Sequence, residues 1–549
     1  MKLNGAQIVV EQLVAHGITT VFGYPGGAVL PLYDELGKNA DRINHILTAH
    51  EQGAAHAADG YARASGKTGV VIATSGPGAT NLVTGIANAY LDSVPMVAIT
   101  GNVPVPLLGR DSFQEVDIVG IAQPIVKHSF LVREVETLES TINEAFRLAR
   151  SGRCGPVLVD IPKNVQSDMC GYIGKPPAKV EHKPPVFDVK RIVELIKDSK
   201  KPLIYAGGGV IASGAEALLR ELSERLSAPV NLSMMGLTAL PNDYALNLGM
   251  TGMHGKYAAS VAKSECDLLI ALGVRFSDRA TGNVGEYAKE KRIIHVDIDV
   301  AEHDKNVTSH IDVCGDLRDV LTDLLPELPV MRNDEWLDRI ENLKQVEVDG
   351  RAGVFTPKNI IETVDSCFDA DTIVATDVGQ HQMWAVQYYK FLKPRTLLTS
   401  GGLGAMGYGM GAAIGGCIAN GLKRTILFTG DGSFGMNLIE LSTAVSQGLP
   451  LVVVILNNNT LGLPRQWQTS FFGERHSNTT LNRRTDFPAL ANAFGAVGYR
   501  VNSLQELRSK LQDLPERTPA VIDCCIDIDE KVLPMIPPGG TIKDIIIKG

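Results

Sequence analysis

The sequence runs to 549 residues, more than one hydrophobic core accommodates, because single cores stop growing at roughly 250–300 residues. Its 61 acidic and 52 basic residues leave a formal charge of −9 with no polybasic block, which argues against nucleic acid or an anionic membrane as a partner. An apolar share of 44% and a charged share of 21% exclude a disordered chain, and no apolar run approaches the roughly 20 residues that span a bilayer.

The eight cysteines lie mostly in apolar stretches without Cys-x-x-Cys spacing, as expected of buried free thiols in a reducing compartment. Met1-Lys2-Leu3 leads straight into a helix-like run with no signal core, so a cytoplasmic protein is expected, or the mature form of one that has shed a targeting segment. Short β-rich runs alternate with helix-length segments throughout, which is the pattern of parallel-sheet α/β domains. Two stretches break the rhythm. Residues 174–186 contain Pro176, Pro177, Pro184 and Pro185, and residues 326–357 are highly charged. Read as linkers, they divide the chain into three doubly wound α/β domains at 1–175, 187–330 and 355–549.

The first domain carries Tyr24-Pro25-Gly26-Gly27, then Glu51 at the head of a small-residue helix, then Ser75-Gly76-Pro77-Gly78-Ala79-Thr80-Asn81 and Asp111-Ser112-Phe113-Gln114-Glu115. By itself Glu51 reads as an acid favoured in a first helical turn. In the middle domain, Gly207-Gly208-Gly209 follows an apolar strand in a G-x-G-x-x-A pattern, a weak dinucleotide signal alone because no acid sits convincingly about 20 residues on. The same domain holds Gly252-Met253-His254-Gly255, the segment Gly273 to Arg279 with Arg275, Ser277 and Asp278, and His295-Val296-Asp297.

The third domain contains Asp377-Val378-Gly379-Gln380-His381, then Gly404-Ala405-Met406, and then the strongest local signal of the chain. An apolar run ends in Gly430-Asp431-Gly432-Ser433, a helix-length stretch follows, and a second apolar run ends in Asn457-Asn458. Gly-Asp-Gly alone is a common turn. In a β-α-β unit, however, the two strands are parallel, so Asp431 and Asn458 emerge at the same sheet edge, where ligands bind. One carboxylate and one amide oxygen suit Mg2+, which takes its other oxygens from phosphates and water.

This pairing resembles the motif of thiamine diphosphate (ThDP) enzymes, and the first-domain motifs are similar to those of the acetohydroxyacid synthase (acetolactate synthase) large-subunit family over essentially the whole chain. The resemblance implies a pyrimidine-binding first domain, a central domain of flavin adenine dinucleotide (FAD) type, and a pyrophosphate-binding third domain. It assigns Mg2+ to Asp431, Asn458 and the carbonyl of Thr460. It assigns ThDP to Tyr24, Pro25, Gly26, Pro77, Asn81, Gln380, His381, Gly404, Met406, Gly432 and Ser433. Glu51 becomes the carboxylate against the aminopyrimidine ring, with Gln114 and Trp467 as further catalytic residues and Gly27, Lys127, Arg279 and Trp467 facing substrate. FAD falls to Gly207, Gly208, Gly209, Gly252, His254, Gly255, Arg275, Asp278, Arg279 and Asp297.

Four positions depart from the family pattern: Ser277 replaces an acid, Leu463-Pro464 replaces Met-Val, and Gly411 replaces proline. The implied reaction decarboxylates pyruvate and transfers the two-carbon unit to a second 2-oxo acid. It is carried out by a homodimer or homotetramer with active sites between subunits, with a possible small regulatory subunit. A pyruvate oxidase or another FAD-containing carboligase is the alternative within the same architecture.

Overall fold

The computed structural model describes residues 1–180, 184–346, 348 and 351–548. The first sheet comprises β2 (Thr20–Tyr24), β3 (Asn44–Leu47), β4 (Gly69–Ala73), β5 (Met96–Asn102), β6 (His128–Leu131) and β7 (Pro156–Pro162), all parallel, in the order β3-β2-β4-β5-β7-β6. Beside it, β1 (Lys2–Asn4) and β8 (Met169–Gly171) form an antiparallel pair. The β4 run Gly-Val-Val-Ile-Ala is buried on both faces, which is why it reads as continuously apolar rather than alternating.

The middle sheet contains β9 (Pro202–Ala206), β10 (Val230–Leu232), β11 (Asn247–Met250), β12 (Leu268–Leu272), β13 (Arg292–Asp297) and β14 (Ile311–Cys314), again all parallel, in the order β11-β10-β9-β12-β13-β14. Counted from its own first strand this is 3-2-1-4-5-6, the order of dinucleotide-binding sheets, with the reversal between β9 and β12. The third sheet holds β15 (Ile373–Thr376), β16 (Leu397–Leu398), β17 (Thr425–Gly430), β18 (Leu451–Asn457), β19 (Val497–Val501) and β20 (Ala520–Cys525) in the order β16-β15-β17-β18-β20-β19. That order repeats the topology of the first sheet strand for strand, although no repeat is visible in the sequence.

The outer domains meet along the helices Glu51–Ser65 and Tyr408–Ala419, where small residues let the backbones touch. A Cβ on Gly415 would overlap the Ala57 carbonyl, one on Gly60 would overlap that of Ala412, and one on Gly411 would stand 2.7 Å from the Gly53 oxygen. Gly411, a departure from the family's proline, therefore serves this seam.

Residues 326–357 differ from the expected linker. Asp334–Lys344 is a helix whose Trp336, Ile340 and Leu343 turn onto one face and are buried against the middle domain, with Trp336 Nε1 donating to the Pro202 carbonyl at 3.0 Å. The charges that suggested a linker, among them Glu335, Asp338 and Arg339, cover its outer face. Residues 347, 349 and 350 of this stretch, and 181–183 of the other, lie outside the described residues.

After β20, residues 526–548 return across the middle domain, where Ile536 N–H donates to the Met253 carbonyl at 2.8 Å. The eight cysteines are all free thiols, four of them buried. Among the described residues no helix is long and apolar enough to cross a membrane.

Candidate active site

The first sheet presents its half of the site where its strand order reverses, at the carboxyl ends of β2 and β4. Glu51 is the first residue of its helix because His50, in extended conformation, caps it by accepting the Gln52 N–H. The Glu51 carboxylate is buried and accepts a hydrogen bond from Asn81 Nδ2 at 2.9 Å. Asn81 closes the short helix Pro77–Asn81 that follows β4. A Cβ on Gly26 would stand 2.5 Å from the Thr74 side chain, and one on Gly76 (φ +59°) would press on the Gln114 backbone at 2.8 Å. Asn81 is thus in contact with Glu51, Gly26 packs on Thr74 and Gly76 on the Gln114 backbone, with Gly27 exposed beside Gly26. Tyr33 joins them unforeseen; burial first, and the Glu51 carboxylate second, push its hydroxyl pKa upward.

The third sheet supplies the other half from the ends of β15, β17 and β18. Gly430 pairs with Leu456 in the β17–β18 register, so Asp431 and Asn458 leave adjacent strands at the same level. Asp431 is 7% exposed and Asn458 5%, and burial pushes the Asp431 carboxyl up to about 6. Thr460 follows in the same loop, its hydroxyl donating to the Thr479 carbonyl at 2.8 Å. Asn458 Nδ2 donates to Gln380 Oε1 at 3.0 Å.

The His381 ring lies against the Gly379 and Gly430 backbones; a Cβ on Gly430 would fall 2.8 Å from its Nδ1. Burial holds its pKa down at about 3, and its buried Nε2 has no hydrogen-bond partner. Ser433 donates to the Val378 carbonyl at 2.9 Å, and Gly432 faces Met406 and Leu461. Asp377, quoted in the motif but given no role from sequence, is buried and pushed up to about 6, accepting N–H groups from Gly407 at 2.7 Å and Gly409 at 3.3 Å. It sets the turn after Gly404 and Met406. A buried carboxylate and an amide oxygen are a donor set that fits a divalent cation.

Two reciprocal latches join the first and third domains. Glu440 of the third domain accepts N–H groups from Ala49 at 3.1 Å and His50 at 2.9 Å, just ahead of Glu51. Asp92 of the first domain accepts those of Gly401 at 3.0 Å and Gly402 at 2.7 Å, just ahead of Gly404.

In the middle domain a cavity of about 1380 Å³ opens at the reversal of strand order and is lined by Gly208, Gly209, His254, Arg275, Arg279 and Asp297. Gly207 and Gly209 lie so close to Gly273 that a Cβ on Gly209 would stand 2.7 Å from the Gly273 Cα. Gly252 and Gly255 shape the adjoining turn, where Met253 N–H donates to the Arg279 carbonyl at 2.8 Å. Burial pushes Asp297 up to about 6. A cleft larger than the roughly 300–1,000 Å³ of ordinary ligand pockets, with two arginines and backbone exposed at glycines, fits an extended dinucleotide.

Asp278 stands apart: it is exposed at 81%, 3.8 Å from Arg279, and Ser277 lines the cavity instead. Trp467 and Leu463-Pro464 border the same cavity, and the Arg279 guanidinium lies 5.8 Å above the Trp467 ring. Pro464 falls in the first turn of the helix Gly462–Phe471, where backbone N–H groups have no helical acceptor, so its missing donor costs the helix little. Lys127 sits behind the cavity wall at Ser151, its ammonium donating to the Leu148 and Ser151 carbonyls at 2.5 Å and so capping the helix Leu138–Arg150. His295, His303 and Asp312 each place a ligand atom within 4.8 Å of the others, but His303 and Asp312 are already bonded to one another at 3.0 Å.

Family models match all three domains: the thiamine pyrophosphate enzyme N-terminal TPP binding domain over residues 3–121, its central domain over 189–324 and its C-terminal TPP binding domain over 377–524. The chain is 45% identical to the probable acetolactate synthase large subunit of Methanocaldococcus jannaschii, over 99% of this chain and 95% of that one. It is 44% identical to the isozyme 2 large subunit of Escherichia coli acetolactate synthase, over the full length of both, and 42% identical to the isozyme 3 large subunit, over 99% of this chain and 98% of that one. The protein is a thiamine-pyrophosphate-dependent enzyme, and its chain belongs to the acetolactate synthase large-subunit family.

Proposed function

We propose that the enzyme decarboxylates pyruvate and joins the remaining two-carbon unit to a second 2-oxo acid. Pyruvate as acceptor gives 2-acetolactate and 2-oxobutanoate gives 2-aceto-2-hydroxybutanoate, precursors of valine, leucine and isoleucine. The observation that carries this reading is the presence in one chain of a sheltered Glu51–Asn81 pair beside the reversal of strand order in the first sheet and an Asp431–Asn458 metal anchor at the carboxyl ends of the adjacent strands β17 and β18.

ThDP, when bound, supplies the electron sink for loss of CO2 and for carbon–carbon bond formation. Glu51 then holds a proton at a ring nitrogen of the aminopyrimidine, and Asn81 keeps the carboxylate turned toward it. Asp431, Asn458 and the Thr460 carbonyl hold Mg2+, while His381, Gly432 and Ser433 receive the pyrophosphate. Met406, held by the turn that Asp377 fastens, would support the cofactor when bound. Trp467 and Arg279, stacked at the cavity mouth, face the acceptor acid, the arginine as the counter-charge for its carboxylate. FAD in the middle cleft has no redox step to perform and is a structural group. The active assembly is a homodimer or homotetramer in the cytoplasm with catalytic centres between subunits. The relatives' designation as large subunits supports a smaller regulatory partner.

Purified protein given pyruvate, ThDP and Mg2+, with and without FAD, is expected to form acetolactate and CO2. Peroxide or acetyl phosphate in its place makes the enzyme a pyruvate oxidase.

A further inference from the structure

We propose that Gln466 is a positioning residue for the metal: a relay of buried side-chain amides, its polarity fixed by one backbone residue, Val532, aims the Oδ1 of Asn458 at the cation. The inference rests on the reading above that Asp431 and Asn458 hold Mg2+.

Asparagine and glutamine side chains are ambiguous, since either end of the amide can face a neighbour. A backbone peptide is not, because N–H only donates and C=O only accepts. Val532 meets the Gln466 side chain with both groups: its N–H donates to Gln466 Oε1 at 2.9 Å, and its carbonyl accepts from Gln466 Nε2 at 3.1 Å. Gln466 is therefore locked with its oxygen as the acceptor. That oxygen also takes Gln380 Nε2 at 3.1 Å, and a second backbone carbonyl, that of Glu530, takes the same nitrogen at 2.7 Å.

Gln380 is thereby locked too, its Oε1 turned to Asn458, whose Nδ2 it accepts at 3.0 Å. The nitrogen of Asn458 is spent, and Oδ1 is the end left for the metal. Flipping any one amide sets N–H against N–H and oxygen against oxygen in a buried chain, where unpaired groups are most costly. Gln380, Asn458 and Gln466 are each no more than 5% exposed. Gly462 is part of the device, because a Cβ there would overlap Gln380 Oε1. The neighbouring Asn457 has both ends committed, to Asp523 at 2.8 Å and to the Asn459 N–H at 3.2 Å, so it offers no alternative ligand.

The test is Mg2+ affinity by titration calorimetry of the full-length chain with saturating ThDP, with thermal unfolding monitored in parallel. Gln466→Met removes the acceptor and is expected to weaken Mg2+ binding about 10- to 100-fold, the usual effect of losing a group that orients a metal ligand. Gln466→Glu still accepts from Gln380 but sets its second oxygen against the Val532 carbonyl unless it is protonated, so it is expected to bind Mg2+ more tightly than Gln466→Met and less tightly than the parent. In an Asn458→Asp background either carboxylate oxygen can reach the metal, so adding Gln466→Met is expected to leave Mg2+ affinity unchanged or tighter. A merely structural role for Gln466 would weaken binding in both backgrounds. Equal affinity of the parent and a folded Gln466→Met overturns the relay. Should Gln466→Met not fold, Gln380→Met tests the next link, with Mg2+ binding expected to weaken in the parent background and to stay unchanged with Asn458→Asp; equal affinity of the parent and a folded Gln380→Met overturns the relay. A parent chain that takes up no Mg2+ with ThDP sinks the metal assignment itself.

Discussion

Glu440 accepts the backbone N–H of His50 at 2.9 Å, so a carboxylate of the third domain holds the peptide immediately ahead of Glu51. The second oxygen takes the Ala49 N–H, and Thr443 donates to the same carboxylate at 2.7 Å. In Glu440→Gln a single oxygen must serve these donors and an amide NH2 faces a buried N–H. We expect a loss of about 1–3 kcal/mol in urea unfolding, together with reduced turnover because Glu51 is less firmly placed. Unchanged stability would show that the latch carries no load.

Glu51→Gln tests the proton-holding role. The substitution keeps the side-chain length, so fold and cofactor retention should match the parent. Carboligation should fall by about 100- to 10,000-fold, the range for a lost acid–base group. Turnover equal to the parent's would refute the assignment.

The buried Asp431 gives a dependence on pH. Its folded pKa of about 6 lies above the ordinary 3.8, so the neutral form is favoured on folding. Its contribution is fully present below about pH 4 and is lost as pH rises through about 6. Without Mg2+, the parent should therefore lose stability relative to Asp431→Asn over that window. Mg2+ with ThDP should restore the parent alone, because the cation favours the anionic carboxylate. Parallel stability curves for the two proteins would contradict the raised value.

Gly415→Ala probes the seam between the outer domains, since the new methyl has nowhere to go except into the Ala57 carbonyl. A destabilisation of about 1–3 kcal/mol is expected, typical of overpacking, read as a lower midpoint in urea. A midpoint at or above the parent's would mean that the helices can part.

Gly273→Ala addresses the middle cleft. With φ at +59° and the Gly209 Cα in the way, a side chain there is both strained and obstructive. Flavin should be absent from the purified variant by its absorption spectrum, and full flavin retention would remove the cleft from consideration.

The sequence made Asp431 and Asn458 legible because each follows a continuous apolar run and is flagged by a neighbouring glycine or asparagine, a purely local signal. Glu51 needed the surrounding motifs, as a first-turn acid is common. Glu440 and Gln466 were not legible at all. Their partners are backbone groups of His50, Ala49 and Val532, and a backbone group leaves no trace in residue identity. The helix Asp334–Lys344 was misread because its outward charges outnumber the three buried residues of its inner face. Lys127 shows the converse limit, since a residue type suited to binding an acid is used here to close a helix end.

The contact between the helices Glu51–Ser65 and Tyr408–Ala419 brings backbone against backbone at Gly60, Gly411 and Gly415, and Tyr408 pins it by donating to Asp59 at 2.7 Å, which leaves little room for a sliding motion. With the Glu440 and Asp92 latches at either side, the two outer sheets of one chain move as a single rigid block. Substrate entry and product release therefore cannot depend on a hinge between them. Solvent-exchange measurements should find slower amides along the seam than in the loop that carries Gln114 or the helix that carries Trp467.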